Sequence, residues 1–393
     1  MFHFNYYTPT KVIFGKAVEN QTGELVKAFG GKRVLIHYGG ESAVRSGLLD
    51  RVKAALDEQG IFHVELGGVV PNPRLGKVKE GFALAREQGV DFLLAVGGGS
   101  VIDSAKAIAY ALAEPEHDVW ELFTHKRKAK GCLPVASVLT IAAAGSEMSP
   151  SCVITNEKTG EKRSYNDDLS RPRFAVMNPE LTMTLPDYQT ESGCTDIMMH
   201  TMERYFTQGG NMGLTDEIAE GLLRTVMKCA EVLHTDPQNY EARAEVMWAG
   251  ALSHNGLTGC GNNGGDFVSH GMEHELGGMF DVTHGAGLAA IWPSWARYVY
   301  KDCLPRFVRY GVQVMGVEPE ADDELTALKG IEAMENFYHR IGMPVNLREL
   351  GINPTDEQIL EMAESCANAA GGQKGSAKVL RRQDFVKIYR MAR

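Results

Sequence analysis

Short apolar runs alternate with amphipathic stretches through residues 1–185. Lys11–Phe14 reads as a short strand ending at Gly15, and Arg33–Tyr38 as a buried strand ending in Gly39-Gly40. Apolar positions then fall at helical spacing over 48–59, followed by a strand at His63–Leu66 and a helix over 78–88. Asp91–Val96 is a continuous apolar run of the kind a parallel sheet buries on both faces. An Ala-rich helix over 102–113 and a strand over 134–140 complete the pattern. Strands alternating with helices predict a doubly wound, mostly parallel sheet.

After Leu185-Pro186-Asp187 the texture changes. Runs of β-branched residues become scarce, and helical spacing appears over 217–233, 240–252, 325–341 and 357–370. Pro186 suits the first turn of a helix. These patterns predict an α/β domain over 1–185 and an all-α domain over 186–393. Gly259–Gly265 reads as a flexible loop ahead of His270.

Composition excludes several classes. With 393 residues the chain is long enough for two domains. No apolar run approaches the ~20 residues of a membrane span, and the first residues lack the basic and apolar regions of a signal peptide. The formal net charge is -10 and the basic residues are scattered, which argues against nucleic acid as a partner. The cysteines are 132, 152, 194, 229, 260, 303 and 366, an odd number with no Cys-x-x-Cys pair. They read as free thiols of a cytoplasmic protein.

Two clusters carry chemistry. Val96-Gly-Gly-Gly-Ser100-Val-Ile-Asp103 lies between a predicted strand and a predicted helix. Glycines there let the backbone approach a phosphate, and the helix start offers N–H groups and a positive dipole end. The turn departs from the usual G-x-G-x-x-G. A second turn, Tyr38-Gly-Gly-Glu-Ser42, lacks a carboxylate where one would grip a ribose 2′-OH. Ser42 and Arg45 instead suit a 2′-phosphate, which favours NADP(H) over NAD(H), although Glu41 opposes it.

The other cluster is Asp196, His200, His270 and His284. Asp196 and His200 stand at i, i+4 and share one helix face. One carboxylate and three imidazoles suit a divalent first-row ion, Fe(II) or Zn(II). Glu273, Glu275 and Asp266 are candidates to steady the ligating histidines. His37, His63, His117, His125, His234, His254 and His339 read as packing or surface histidines.

These residues resemble the iron-containing (group III) alcohol dehydrogenases, specifically the butanol dehydrogenase and NADP-dependent aldehyde reductase branch. The resemblance covers nearly the whole chain. It is carried by Phe4–Gly15, Gly68-Val-Val-Pro-Asn-Pro73, Gly97-Gly-Gly-Ser-Val-Ile-Asp-Ser-Ala-Lys106, Asp196–Tyr205, and His270–His274 through His284-Gly285. It implies a dehydroquinate synthase-like architecture and a homodimer, with the active site in the cleft between the domains. It implies metal ligands at Asp196, His200, His270 and His284. It implies cofactor contacts at Gly39, Gly40, Ser42, Asn72, Gly98, Gly99, Ser100, Asp103, Thr140 and Lys162. One position departs: Ala144 stands where the family usually has threonine.

The expected reaction is reversible hydride transfer between NAD(P)H and a short- or medium-chain aldehyde such as butanal. His274, close to the ligands in sequence, is the candidate proton relay. Phe267, Met198, Met272 and Trp292 are candidates for an apolar substrate wall. Two alternatives stand beside this: an NAD-dependent polyol dehydrogenase of the glycerol type, and a non-catalytic protein that binds metal and nucleotide.

Overall fold

The computed structural model describes residues 1–210 and 212–393. The chain divides into a sheet unit, Thr8–Thr184, and a helical unit, Met1–Tyr7 with Leu185–Arg393. The first seven residues therefore cluster with the helices. Phe2 N–H donates to the Gly261 carbonyl at 3.0 Å, and the opening strand is confined to 11–14.

The sheet unit runs β1 (Lys11–Phe14), α1 (Thr22–Ala28), β2 (Arg33–Tyr38), α2 (Ser42–Arg45), α3 (Leu48–Glu58), β3 (Phe62–Leu66), α4 (Leu75–Glu87), β4 (Phe92–Gly97), α5 (Gly99–Ala113), α6 (Trp120–Phe123), β5 (Val135–Leu139), β6 (Ser151–Asn156), β7 (Glu161–Asn166) and β8 (Phe174–Met177). Six strands form one sheet in the order β1-β8-β5-β4-β2-β3. Every pairing in it is parallel. β4 and β5 lie at its centre and are buried along their whole length, which is why their sequences are apolar without alternation. Val34, Ile36, Leu94, Val96, Val138 and Val176 join Val52 and Leu56 of α3 in one core.

Helix α5 starts three residues earlier than its apolar spacing shows, because the glycine turn already runs into the helix at Gly99. β6 and β7 form a separate antiparallel hairpin. Its polar alternation, as in Glu-Lys-Arg-Ser-Tyr-Asn, hides it from a search for apolar runs.

The helical unit runs α7 (Asp187–Tyr205), α8 (Gly213–Thr235), α9 (Tyr240–His254), α10 (Val268–Phe280), α11 (His284–Val299), α12 (Leu304–Gln313), α13 (Asp323–Arg340), α14 (Asp356–Ala369), β9 (Gln373–Lys374), β10 (Leu380–Arg381) and α15 (Arg382–Ala392). α7 is buried almost throughout and packs on α8, α9 and α11, while α10 packs on α11 and α14. β9 and β10 make one two-residue antiparallel pairing in an otherwise helical unit. Two segments that carry candidate ligands lack long periodic apolar runs. α11 contains Pro293, which removes an internal hydrogen bond yet stays within the helix. α10 is interrupted in sequence by glycines. Among the described residues no helix is long and apolar enough to cross a membrane.

Candidate metal and nucleotide sites

In the sheet unit, the chain builds outward from β2 to β3 and then returns to place β4 on the other side of β2. The connections leave the carboxyl ends of β2 and β4 in opposite directions, which opens a crevice there. Gly39 and Gly40 follow β2, Gly98 to Ser100 follow β4, and Thr140 follows β5, whose N–H donates to the Gly97 carbonyl at 3.2 Å. The predicted phosphate turns therefore share one edge of the sheet. Ser42 opens α2 and is exposed, as is Arg45. Asn72 is buried with φ 53°, in the turn before α4. Lys162 lies on β7, 4% exposed.

Gly98 and Gly99 are demanded by packing, whereas a Cβ on Gly40 would meet open space. A Cβ on Gly98 would stand 3.0 Å from Ile141 Cβ, and one on Gly99 2.8 Å from Ala144 Cβ. A small residue at 144 thus lets the turn close on the segment after β5. Asp103, implied as a cofactor contact, has both oxygens engaged within the chain. One accepts from Ser146 Oγ and the other from the Val153 N–H at 2.9 Å. One helical turn on, Lys106 is fully buried, with Nζ at 2.8 Å from the Ser146 and Ser151 carbonyls and 2.9 Å from that of Ser149. Asp103 and Lys106 anchor the 146–153 segment beside the turn.

In the helical unit, Asp196, His270 and His284 bring ligand atoms within 4.8 Å of one another. Asp196 Oδ1 lies 3.4 Å from His270 Nε2 and 3.7 Å from His284 Nε2. His200 flanks the trio, its Nδ1 3.3 Å from the same oxygen and its ring centroid 4.5 Å from that of His270. Donors sharing one ion at about 2.1 Å stand about 3.4 Å apart in a tetrahedron.

These atoms fit a divalent ion for a second reason. Asp196 Oδ1, His200 Nδ1 and His270 Nε2 are buried and have no hydrogen-bond partner among the described residues. Unpaired buried polar atoms are costly, and several converging on one point are relieved by a cation. The far side of two rings is fixed by carboxylates. His270 Nδ1 bonds Glu203 and His284 Nδ1 bonds Glu273, so each Nε2 lone pair faces Asp196. Glu203 carries no flag in the sequence. Its signal was its spacing, seven residues after Asp196 and three after His200 on one helix face.

The electrostatics agree. Burial opposes ionisation of Asp196, but His200, His284 and His270 hold its carboxyl well below the usual range. Burial also opposes charge on His270, yet Glu203 and Asp196 outweigh it and push the ring up to about 9. His200 is driven down by burial, with His270 and Arg204 adding to it. Two buried carboxylates thus favour positive charge between them, which a protonated imidazole or a divalent ion supplies.

His274 lies one turn after His270 on α10, its ring centroid 5.9 Å from that of His284. The Phe267 ring is 5.8 Å from His270. Met198, Met272 and Trp292 are fully buried core residues, so they line no open wall. Asp266 supports backbone: it accepts from the N–H groups of Val268, Ser376 and Ala377 at 3.2, 2.7 and 2.9 Å. None of the seven cysteines is joined in a disulfide.

A parallel sheet with glycine turns at its switch point and a helical unit with a buried N/O donor set are the parts that a metal- and nucleotide-dependent oxidoreductase requires. The chain belongs to the iron-containing alcohol dehydrogenase family. Residues 9–179 match the family model for iron-containing alcohol dehydrogenase, and residues 190–393 match that for the family's C-terminal region. It is 41% identical over 391 residues to NADH-dependent butanol dehydrogenase A of Clostridium acetobutylicum, covering 99% of each chain. It is 37% identical to the NADPH-dependent aldehyde reductase YqhD of Escherichia coli over 90% of each. Its fold superposes on the crystal structure of NADH-dependent butanol dehydrogenase A from Thermotoga maritima with a TM-score of 0.95. That pair is 39% identical, with 100% of this chain and 99% of that one covered.

Proposed function

We propose that the chain reduces short- and medium-chain aldehydes such as butanal reversibly, using NAD(P)H, with Asp196, His200, His270 and His284 holding one divalent ion. The observation that carries the reading is the convergence of buried Asp196 Oδ1, His200 Nδ1 and His270 Nε2, which have no hydrogen-bond partner among the described residues, with the His270 and His284 rings aimed at Asp196 by Glu203 and Glu273. When bound, the ion supplies Lewis-acid polarisation of the carbonyl and the nicotinamide supplies the hydride. The chain's residues do the rest. Glu203 and Glu273 hold the Nδ1 protons of His270 and His284, which keeps each Nε2 available as a donor atom. A ring nitrogen of His274 carries the proton between the product oxygen and solvent. Gly39, Gly40, Asn72, Gly98, Gly99, Ser100, Thr140 and Lys162 seat the dinucleotide, with Asp103 steadying the neighbouring segment.

Three imidazoles and one carboxylate suit both Fe(II) and Zn(II), and the family's name favours iron. For the 2′ position of the cofactor, exposed Ser42 and Arg45 support NADP(H). A second reading, NADH, is favoured by the relatives near 40% identity that carry that cofactor in their names. The reading also includes a cytoplasmic homodimer, with residues 1–185 as the dinucleotide domain and 186–393 as the metal domain.

One experiment addresses these points: metal analysis of freshly purified protein, paired with NADH and NADPH turnover on butanal and on glycerol with NAD. Stoichiometric metal and faster turnover of NADPH than NADH on butanal are expected. A metal-loaded protein that oxidises neither cofactor across a panel of short aldehydes overturns the aldehyde reading. Preference for glycerol with NAD would move it to the polyol class.

A further inference from the structure

Arg204, at the end of α7, reaches well beyond its own helix. Its Nη1 donates to the His200 carbonyl at 2.6 Å and to the Ser253 carbonyl at 3.1 Å. Nη2 lies 3.3 Å from Nδ1 of His254, whose ring centroid is 3.9 Å from that of His200. The same guanidinium stands over the Phe267 ring, 4.8 Å from its centroid, and that ring in turn lies 5.8 Å from His270. One side chain thus touches the backbone of one metal-site histidine and the ring packed beside another.

Phe267 is held in a costly conformation. Its φ of 54° and ψ of 22° are left-handed, a region bulky side chains avoid and glycine enters freely. The ring fits because the preceding turn carries no side chain: a Cβ on Gly265 would lie 2.9 Å from Phe267 Cε2. Such strain persists only where the surroundings over-determine it. Here they do. Asp266 N–H donates to the Glu203 carbonyl at 2.6 Å, His270 N–H donates to Glu203 Oε1 at 3.2 Å, and Arg204 covers the ring.

We propose that Arg204 and Phe267 form a clamp that fixes His200 and His270 at metal-binding spacing, both acting as positioning residues. This rests on the metal reading of the site. Arg204 steadies His200 from its carbonyl and through the His254 ring, and it holds the Phe267 ring against His270. The strained backbone at 267 is the cost of placing an aromatic ring there; a glycine would relieve it and lose the ring.

The test follows release of the ion from the metal-loaded full chain into excess chromophoric chelator, beside thermal unfolding of the metal-stripped protein. Phe267→Gly removes the ring and relieves the backbone together. Its stripped form is expected to unfold at the wild-type temperature or above, while the ion leaves at least about 10-fold faster. A purely structural role for Phe267 would not separate those two readouts. Arg204→Ala is expected to speed release similarly, and the double variant to release no faster than the quicker single one, because both act on one arrangement. Wild-type release from Phe267→Gly overturns the clamp, as does multiplied acceleration in the double variant. Should Arg204→Ala not fold, Phe267→Gly alone decides. A wild-type chain that takes up no ion overturns the metal reading, and the clamp with it.

Discussion

Glu203 grips His270 twice: one carboxylate oxygen accepts the backbone N–H of His270 at 3.2 Å and the other bonds its Nδ1. The ring and the first turn of α10 are therefore set by a single side chain of α7. Glu203→Gln keeps the shape and removes the charge. Metal affinity is expected to fall about 10- to 100-fold, read by competition with a chelator. Unchanged affinity would show that the ring is held by packing alone.

Gly285 follows His284 directly, and a Cβ there would lie 1.9 Å from the Ser192 carbonyl oxygen. Backbone meets backbone, so no side chain can swing aside. Gly285→Ala is expected to push α11 off α7, costing about 2 kcal/mol of stability and carrying His284 away from Asp196. Urea unfolding and metal content of the purified variant check both halves. A variant with wild-type stability would mean the two helices separate at no cost.

Lys106 is buried completely beneath the 146–151 segment, which follows β5 and lies beside the glycine turn. Burial pushes its pKa down, opposed mainly by Asp103. Lys106→Met leaves the carbonyls of Ser146, Ser149 and Ser151 without their donor. A loss of about 3 kcal/mol is expected, with a raised KM for the dinucleotide and earlier proteolytic cleavage within 144–151. Stability loss with an unchanged cofactor KM would confine Lys106 to a folding role.

His37 offers a pH test in the sheet unit. It is fully buried, with Nδ1 2.9 Å from the Leu66 carbonyl and Nε2 2.8 Å from Ser104 Oγ. Burial lowers its pKa to about 4, against an ordinary 6.5, while the bond to Leu66 and nearby Glu80 oppose and Lys77 assists. The unfolded chain therefore takes up a proton below about pH 6.5 that the folded chain refuses until about pH 4. Folded stability is expected to fall across that window by about 3 kcal/mol and to level off beneath it. Denaturant curves at pH 7 and pH 4.5 for wild type and His37→Gln measure it. The variant should be less stable at pH 7 and should lose less on acidification; equal losses would remove His37 from the account.

The sheet was readable because its strands are buried on both faces, so their apolar runs stand out without alternation. The candidate ligands Asp196, His200, His270 and His284 stand out because their residue types are rare together at such spacing, and the structure brings their side chains together. The supports of that site were much less readable. An acidic residue such as Glu203 on a helix usually reads as solvated; its spacing from Asp196 and His200 is the one signal in the sequence, and its contact with His270 gives it a role. His254 is a packing histidine, as its sequence suggests, but only the fold shows that its ring packs on His200. The α11 helix hid behind Pro293, and the β6–β7 hairpin behind its polar alternation. Asp103 lay in a recognisable turn, yet its carboxylate ties two parts of the chain together.

The grouping of Met1–Tyr7 with the helices has a consequence for how the molecule is made. Phe2 bonds Gly261, so the whole sheet unit and the helices up to residue 261 must be synthesised before that contact is available. The sheet unit between them can fold as it emerges, since domains mature as units during synthesis. Residues 2–7, although synthesised ahead of the sheet unit, are thus among the last of these segments to find their place, beside the loop that leads to His270.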